Sequence, residues 1–80
     1  MKIEVMIVWP DGFKSSVTDE HMNVPGKVLA QLRRAGSAIP VALSHDLRDL
    51  VYGTDDSATV GGVHTFVWGK YSFIAKRADI

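Results

Sequence analysis

Apolar and polar residues alternate from Lys2 to Trp9. Ile3, Val5, Ile7 and Trp9 fall on one side; Lys2, Glu4, Met6 and Val8 fall on the other. A period of two is that of a strand with one face buried. Pro10-Asp11-Gly12 ends the run, and its composition suits a three-residue hairpin loop. Proline presets φ at the first turn position, and glycine takes the left-handed conformation at the last. A second strand is predicted from Phe13 to about Thr18, with Phe13, Ser15 and Val17 beside Trp9, Ile7 and Val5.

Alternation returns in the last third of the chain. Two β-branched and aromatic runs within Val63–Lys76 flank Gly69-Lys70. Glycine accepts positive φ at the first central position of a type II′ turn, so these runs read as a two-residue hairpin. The turn fixes the register: Trp68 lies opposite Tyr71, Phe66 opposite Phe73 and His64 opposite Ala75. One face then carries four rings and is expected to floor the core. The other carries Val63, Thr65, Val67, Ser72, Ile74 and Lys76.

Between the hairpins the period changes to that of a helix. From Pro25 to Ala35, Val28, Leu29, Leu32 and Ala35 share one face, with Lys27, Gln31 and Arg34 opposite. Asn23 or Val24 is the expected cap, and Gly36 suits the position beyond the last turn. Ser37 to Leu43 reads as a crossing segment because Pro40 interrupts it. Ser44 is expected to cap a short helix from His45 to Tyr52, with apolar Leu47, Leu50 and Val51, ended by Gly53. Thr54 to Gly62 reads as a polar loop, and Arg77 to Ile80 as a fraying end.

The order ββ-α-α-ββ predicts a single α+β domain over residues 1–80. It is a two-layer sandwich: a four-stranded antiparallel sheet of two hairpins, with one main helix and one short helix on one face. Whether the hairpins join through the first or the second strand is open.

Composition narrows the function. Nine basic and nine acidic residues cancel, which argues against a surface that is basic throughout and binds nucleic acid non-specifically. Charge is nevertheless segregated. Lys27, Arg33 and Arg34 form a basic stretch, and Asp46, Asp49, Asp55 and Asp56 an acidic one. With no cysteine there is neither a disulfide nor a thiolate metal site. The N-terminal apolar run is interrupted by Glu4, lacks a signal-peptide cleavage region and is far too short to span a bilayer. A cytoplasmic location is expected, with no role at a membrane.

Candidate chemistry is sparse. Ser44-His45-Asp46 contains the triad residue types, but adjacent side chains diverge where a triad needs them to converge. His45 and Asp49, spaced i and i+4, can face one cation, with Asp55, Asp56, His21 or His64 as further ligands. No dense metal-binding signature accompanies them, and a solvated acidic helix explains them as well. Gly61-Gly62 precedes a strand, whereas a phosphate cradle leads into a helix. Neither a metal nor a cofactor is expected.

Binding readings remain. The chain reads first as a small non-enzymatic module that binds another protein or a nucleoprotein complex, as an adaptor or inhibitor. The acidic segment Asp46, Asp49, Asp55 and Asp56 would dock on a basic groove, or an exposed strand edge would engage the partner. Such a compact, cysteine-free domain suits an accessory protein of a phage or mobile element, anti-CRISPR proteins included. Because two helices cover one sheet face, Met6, Val8, Val67 and Ile74 can form an apolar strip on the other, suited to a partner or a homodimer. The alternative is a nucleic-acid-binding regulator using Lys27, Arg33, Arg34, Lys70, Lys76 and Arg77, with hairpin aromatics stacking unpaired bases.

Overall fold

A computed structural model describes residues 2–55 and 62–78. Its elements run β1 (Lys2–Val8), β2 (Lys14–Glu20), α1 (Val24–Arg34), α2 (Val41–Asp55), β3 (Val63–Trp68) and β4 (Tyr71–Arg77). The strands form one antiparallel sheet in the order β2-β1-β4-β3. The two hairpins therefore join through β1 and β4, leaving β2 and β3 as edges.

Both registers follow from the turns. Val5 pairs with Val17 and Ile7 with Ser15. Across the three-residue loop the Trp9 N–H donates to Phe13 O at 2.8 Å, and the Gly12 N–H to Trp9 O at 2.9 Å. In the second hairpin Trp68 pairs with Tyr71, Phe66 with Phe73 and His64 with Ala75. Gly69 has φ +58°, as the first central residue of a type II′ turn requires, and a side chain there would be strained.

Alternation decides which residues enter the core. Ile3, Val5 and Ile7 of β1 are fully buried with Phe73 and Ala75 of β4, beneath Val24, Val28, Leu29 and Leu32 of α1 and Leu43, Leu47 and Val51 of α2. Phe66, Trp68 and Tyr71 are half-buried at the margin, with Trp9 beside them. The rings pack on one another: Phe66 on Phe73 at 6.2 Å, Trp68 on Tyr71 at 5.1 Å, and Trp9 edge-on to Tyr71 at 5.6 Å.

α1 ends as expected. The Gly36 N–H donates to Arg33 O and the Ser37 N–H to Leu32 O, a Schellman closure made with Gly36 at φ +86°. Asn23 is its N-cap but makes no side-chain capping bond. Ala35 is exposed, not buried with the apolar stripe.

α2 departs from the sequence reading. It is no short helix: with 15 residues it exceeds the 11 of α1. It begins directly after Pro40, whose carbonyl accepts from the Leu43 N–H at 3.0 Å. Proline interrupts a helix it sits inside, but at the start its missing N–H costs nothing. Ser44 thus lies inside the helix, its hydroxyl donating to Val41 O at 2.9 Å. Gly53 does not end α2 either. Burial of Val51 and Thr54 carries the helix past it, and the Thr54 hydroxyl donates to Leu50 O at 2.9 Å. At the other end of the chain, Arg77 does not fray: β4 includes it, and the Ala78 N–H donates to Lys2 O at 2.9 Å. β2 likewise extends beyond Thr18 to Glu20.

Candidate protein-interaction surface

Both helices pack on the face that carries Ile3, Val5 and Ile7. Among the described residues no helix covers the other face. Its side chains follow from the registers. Met6 lies opposite Ile74 on one side and Ser16 on the other; Ile74 in turn lies opposite Thr65. The next row is Lys14, Val8, Ser72 and Val67, and the row on the far side is Thr18, Glu4, Lys76 and Val63.

An apolar strip thus crosses the open face. Met6, Val8 and Ile74 are half-buried by their neighbours on the sheet, while Val63 and Val67 are 58% and 62% exposed at the β3 edge. Glu4 and Lys76 pair across the β1–β4 ladder at 3.5 Å and flank the strip. An apolar centre with polar and charged neighbours is the usual anatomy of a protein contact surface. This strip was legible as an expectation, because alternation and helix count together left these residues uncovered.

The cations singled out for nucleic acid are not gathered. Lys27 and Arg34 line the groove between α1 and β2, where Lys27 is paired with Asp19. Arg33 is exposed in the last turn of α1. Lys70 occupies the β3–β4 turn at the opposite edge of the sheet. Lys76 belongs to the open face, and Arg77 ends β4 on the other side. The aromatic face is committed to packing as well. Phe73 is fully buried, and the Tyr71 hydroxyl lies 2.8 Å from Ser37 Oγ.

Of the acidic segment, Asp46 and Asp49 are exposed on α2, three positions apart and therefore neighbours on the helix surface. Asp55 is the last residue of α2; its side chain and the whole of Asp56 lie outside the described residues. His45 is also exposed on α2. Among the described residues no three His, Asp or Glu side chains are grouped closely enough to hold a metal ion. Ser44, His45 and Asp46 are separated by about 100° steps around the helix, so their side chains do not converge.

One concavity was not anticipated. Trp9, Pro10, Asp11, Phe13 and Ala35 line an open hollow of about 430 Å³. Phe13 is 65% exposed there, and the Asp11 carboxylate accepts from the Phe13 N–H at 2.9 Å. Its signal in the sequence was Phe13 itself, an aromatic residue at a hairpin tip. Trp9, Pro10, Phe13 and Ala35 make its walls largely apolar.

No protein-family model matches the chain, and no curated protein or solved structure matches it. No helix among the described residues is long and apolar enough to cross a membrane.

Proposed function

We propose that this chain is a non-enzymatic module that binds another protein through the open face of its sheet. The observation that carries this reading is the Met6–Ile74 pair, with Val8, Val63 and Val67, on a face that no helix among the described residues covers. Apolar side chains kept on that face add little to the monomer's core, and a partner that covered them would gain their burial. In this reading the protein acts by occlusion, as an adaptor or an inhibitor. The setting it suits is a phage or mobile-element accessory protein that covers a host complex, as anti-CRISPR proteins do.

The test is capture from nuclease-treated lysate by the intact chain and by an M6K/I74E variant. A specific protein retained by the first and lost by the second supports the reading. Equal retention by both sinks it.

A second reading rests on Asp46 and Asp49, which stand exposed together on α2, on the helical layer. In it, the acidic helix face docks on a cationic groove of the partner. Loss of the captured protein with D46N/D49N, but not with M6K/I74E, favours that reading. Retention of nucleic acid in the absence of nuclease, falling steeply with salt, moves the weight to Lys27, Arg33, Arg34, Lys70, Lys76 and Arg77.

A further inference from the structure

The two edges of the sheet differ in kind. β2 carries Lys14, Asp19 and Glu20, and Asp19 is held by Lys27 of α1. Charged side chains along an edge discourage pairing with another strand. β3 has no such protection: Val63-His64-Thr65-Phe66-Val67-Trp68 contains no lysine, no acid and no proline. Its ladder with β4 runs from Val63 to Trp68 without a bulge.

The free side of this edge can be assigned residue by residue. In a two-residue hairpin the closing pair, here Trp68 and Tyr71, is hydrogen-bonded, and bonding alternates from there. Phe66 and His64 therefore direct their backbone groups to β4. Val67, Thr65 and Val63 direct N–H and C=O away from the sheet. The side chains of the same three residues lie on the open face, where all are exposed.

We propose that β3 pairs antiparallel with β3 of a second copy of this chain, about a two-fold axis at Thr65, so that two sheets become one. A second copy fits because the strand is complementary to itself in this register. Centring on Thr65 engages all three outward-facing residues and sets each Val63 opposite Val67 of the other copy. Threonine opposite threonine is a favourable cross-strand pair, and branched side chains such as valine pack well against neighbours on a pleated surface. Since β3 carries no charged residue, no like charges oppose each other. The same register places Phe66 opposite His64 of the second copy on the helical side. Sliding the pairing by two residues sets one valine against the Gly69 turn or against residues that precede the strand.

This dimer shares Val63 and Val67 with the binding surface proposed above, but the two fail separately, because the dimer does not use Met6, Val8 or Ile74. It leaves Met6 and Ile74 uncovered and sets two such strips side by side, and M6K/I74E leaves the β3 edge intact.

Sedimentation equilibrium of the intact chain over a wide concentration range tests it. The wild type is expected to show a monomer–dimer equilibrium. V63K/V67K opposes like charges twice in the dimer and weakens it by roughly tenfold or more; V63E/V67E does the same. Mixing these two variants restores association, and V63K/V67E associates with itself. Because the charge-swapped variant introduces both signs, it keeps the test informative if a like-charge variant fails to fold, as circular dichroism would reveal. Amide exchange at Val63, Thr65 and Val67 slows as concentration rises. A wild type that stays monomeric throughout overturns the proposal, as does a V63K/V67K dimer as strong as the wild type. So does a pair of oppositely charged variants that do not associate when mixed.

Discussion

Met6 and Ile74 lie opposite each other across the β1–β4 ladder, on the face away from both helices. One residue along the same strands, Ile7 lies opposite Phe73, and both are fully buried beneath the helices. The same two strands therefore present a core on one side and a half-exposed apolar pair on the other. Substitution on the two sides should have opposite consequences. Ile7→Ala leaves a cavity and should cost about 2–5 kcal/mol of stability. Ile74→Glu should cost only about 1 kcal/mol, yet abolish capture of the partner. Denaturant unfolding of both variants, beside the capture assay, checks this. An Ile74→Glu protein that unfolds as readily as Ile7→Ala would mean that the open face is part of the core.

Gly53 offers a gain in stability. It lies within α2, is exposed, and a Cβ built on it meets no atom of the described residues within 4 Å. Glycine costs a helix about 0.5–1 kcal/mol relative to alanine, mainly through the freedom it has in the unfolded chain. Gly53→Ala should therefore stabilise by about that amount and raise the midpoint of thermal unfolding. A neutral or destabilising effect would imply that α2 ends before Gly53.

The Lys27–Asp19 pair makes acid stability testable. Lys27 hydrogen-bonds the Asp19 carboxylate, and with the Glu20 N–H, which reaches the same carboxylate at 2.7 Å, it holds the group below its usual pKa of 3.8. A carboxylate with a depressed pKa contributes stability that is present above the unfolded value and lost as pH falls through the folded value. Lys27→Met should raise the Asp19 pKa towards the ordinary carboxylate range, as carboxyl-carbon NMR titration would show. It should also flatten the acid limb of the stability profile below about pH 4. Lys27 is exposed and Asp19 only partly buried, so solvent screens the pair and the change is small. An unmoved titration would show that the pair does not persist in solution.

How far the sequence was readable follows from what each residue had to compete with. Both hairpin registers could be read because loop length and turn residues fix pairing locally, and Ile3, Val5 and Ile7 had one face to choose. The order of the strands could not. Joining the hairpins through β1 and β4 depends on how α1 and α2 cover the sheet, a contact between residues far apart in sequence. The length of α2 escapes a local reading, because Pro40 and Gly53 by themselves favour a helix break. Pro40 sits where those preferences are harmless, and Gly53 is overruled by the burial of Val51 and Thr54. The open strip at Met6, Val8 and Ile74 was anticipated, since two helices cannot cover two faces. The contrast between the β2 and β3 edges required the strand order first.

The Trp9 indole is held by a relay that crosses from sheet to helix. Its Nε1–H donates to Ser15 Oγ at 3.0 Å, and the Ser15 hydroxyl donates to Gln31 Oε1 at 3.0 Å. Ser15 thus links the β1–β2 hairpin to α1 and fixes the ring that walls the hollow beside Phe13. Ser15→Ala removes the acceptor of one bond and the donor of the other. At a half-buried position this should cost about 1–2 kcal/mol. Ser15→Thr keeps the hydroxyl and adds a β-branched residue suited to the strand, so it should recover most of the loss. Urea midpoints measured at a constant slope separate the two variants cleanly. If Ser15→Ala unfolds at the wild-type midpoint, water takes the place of the hydroxyl between Trp9 and Gln31.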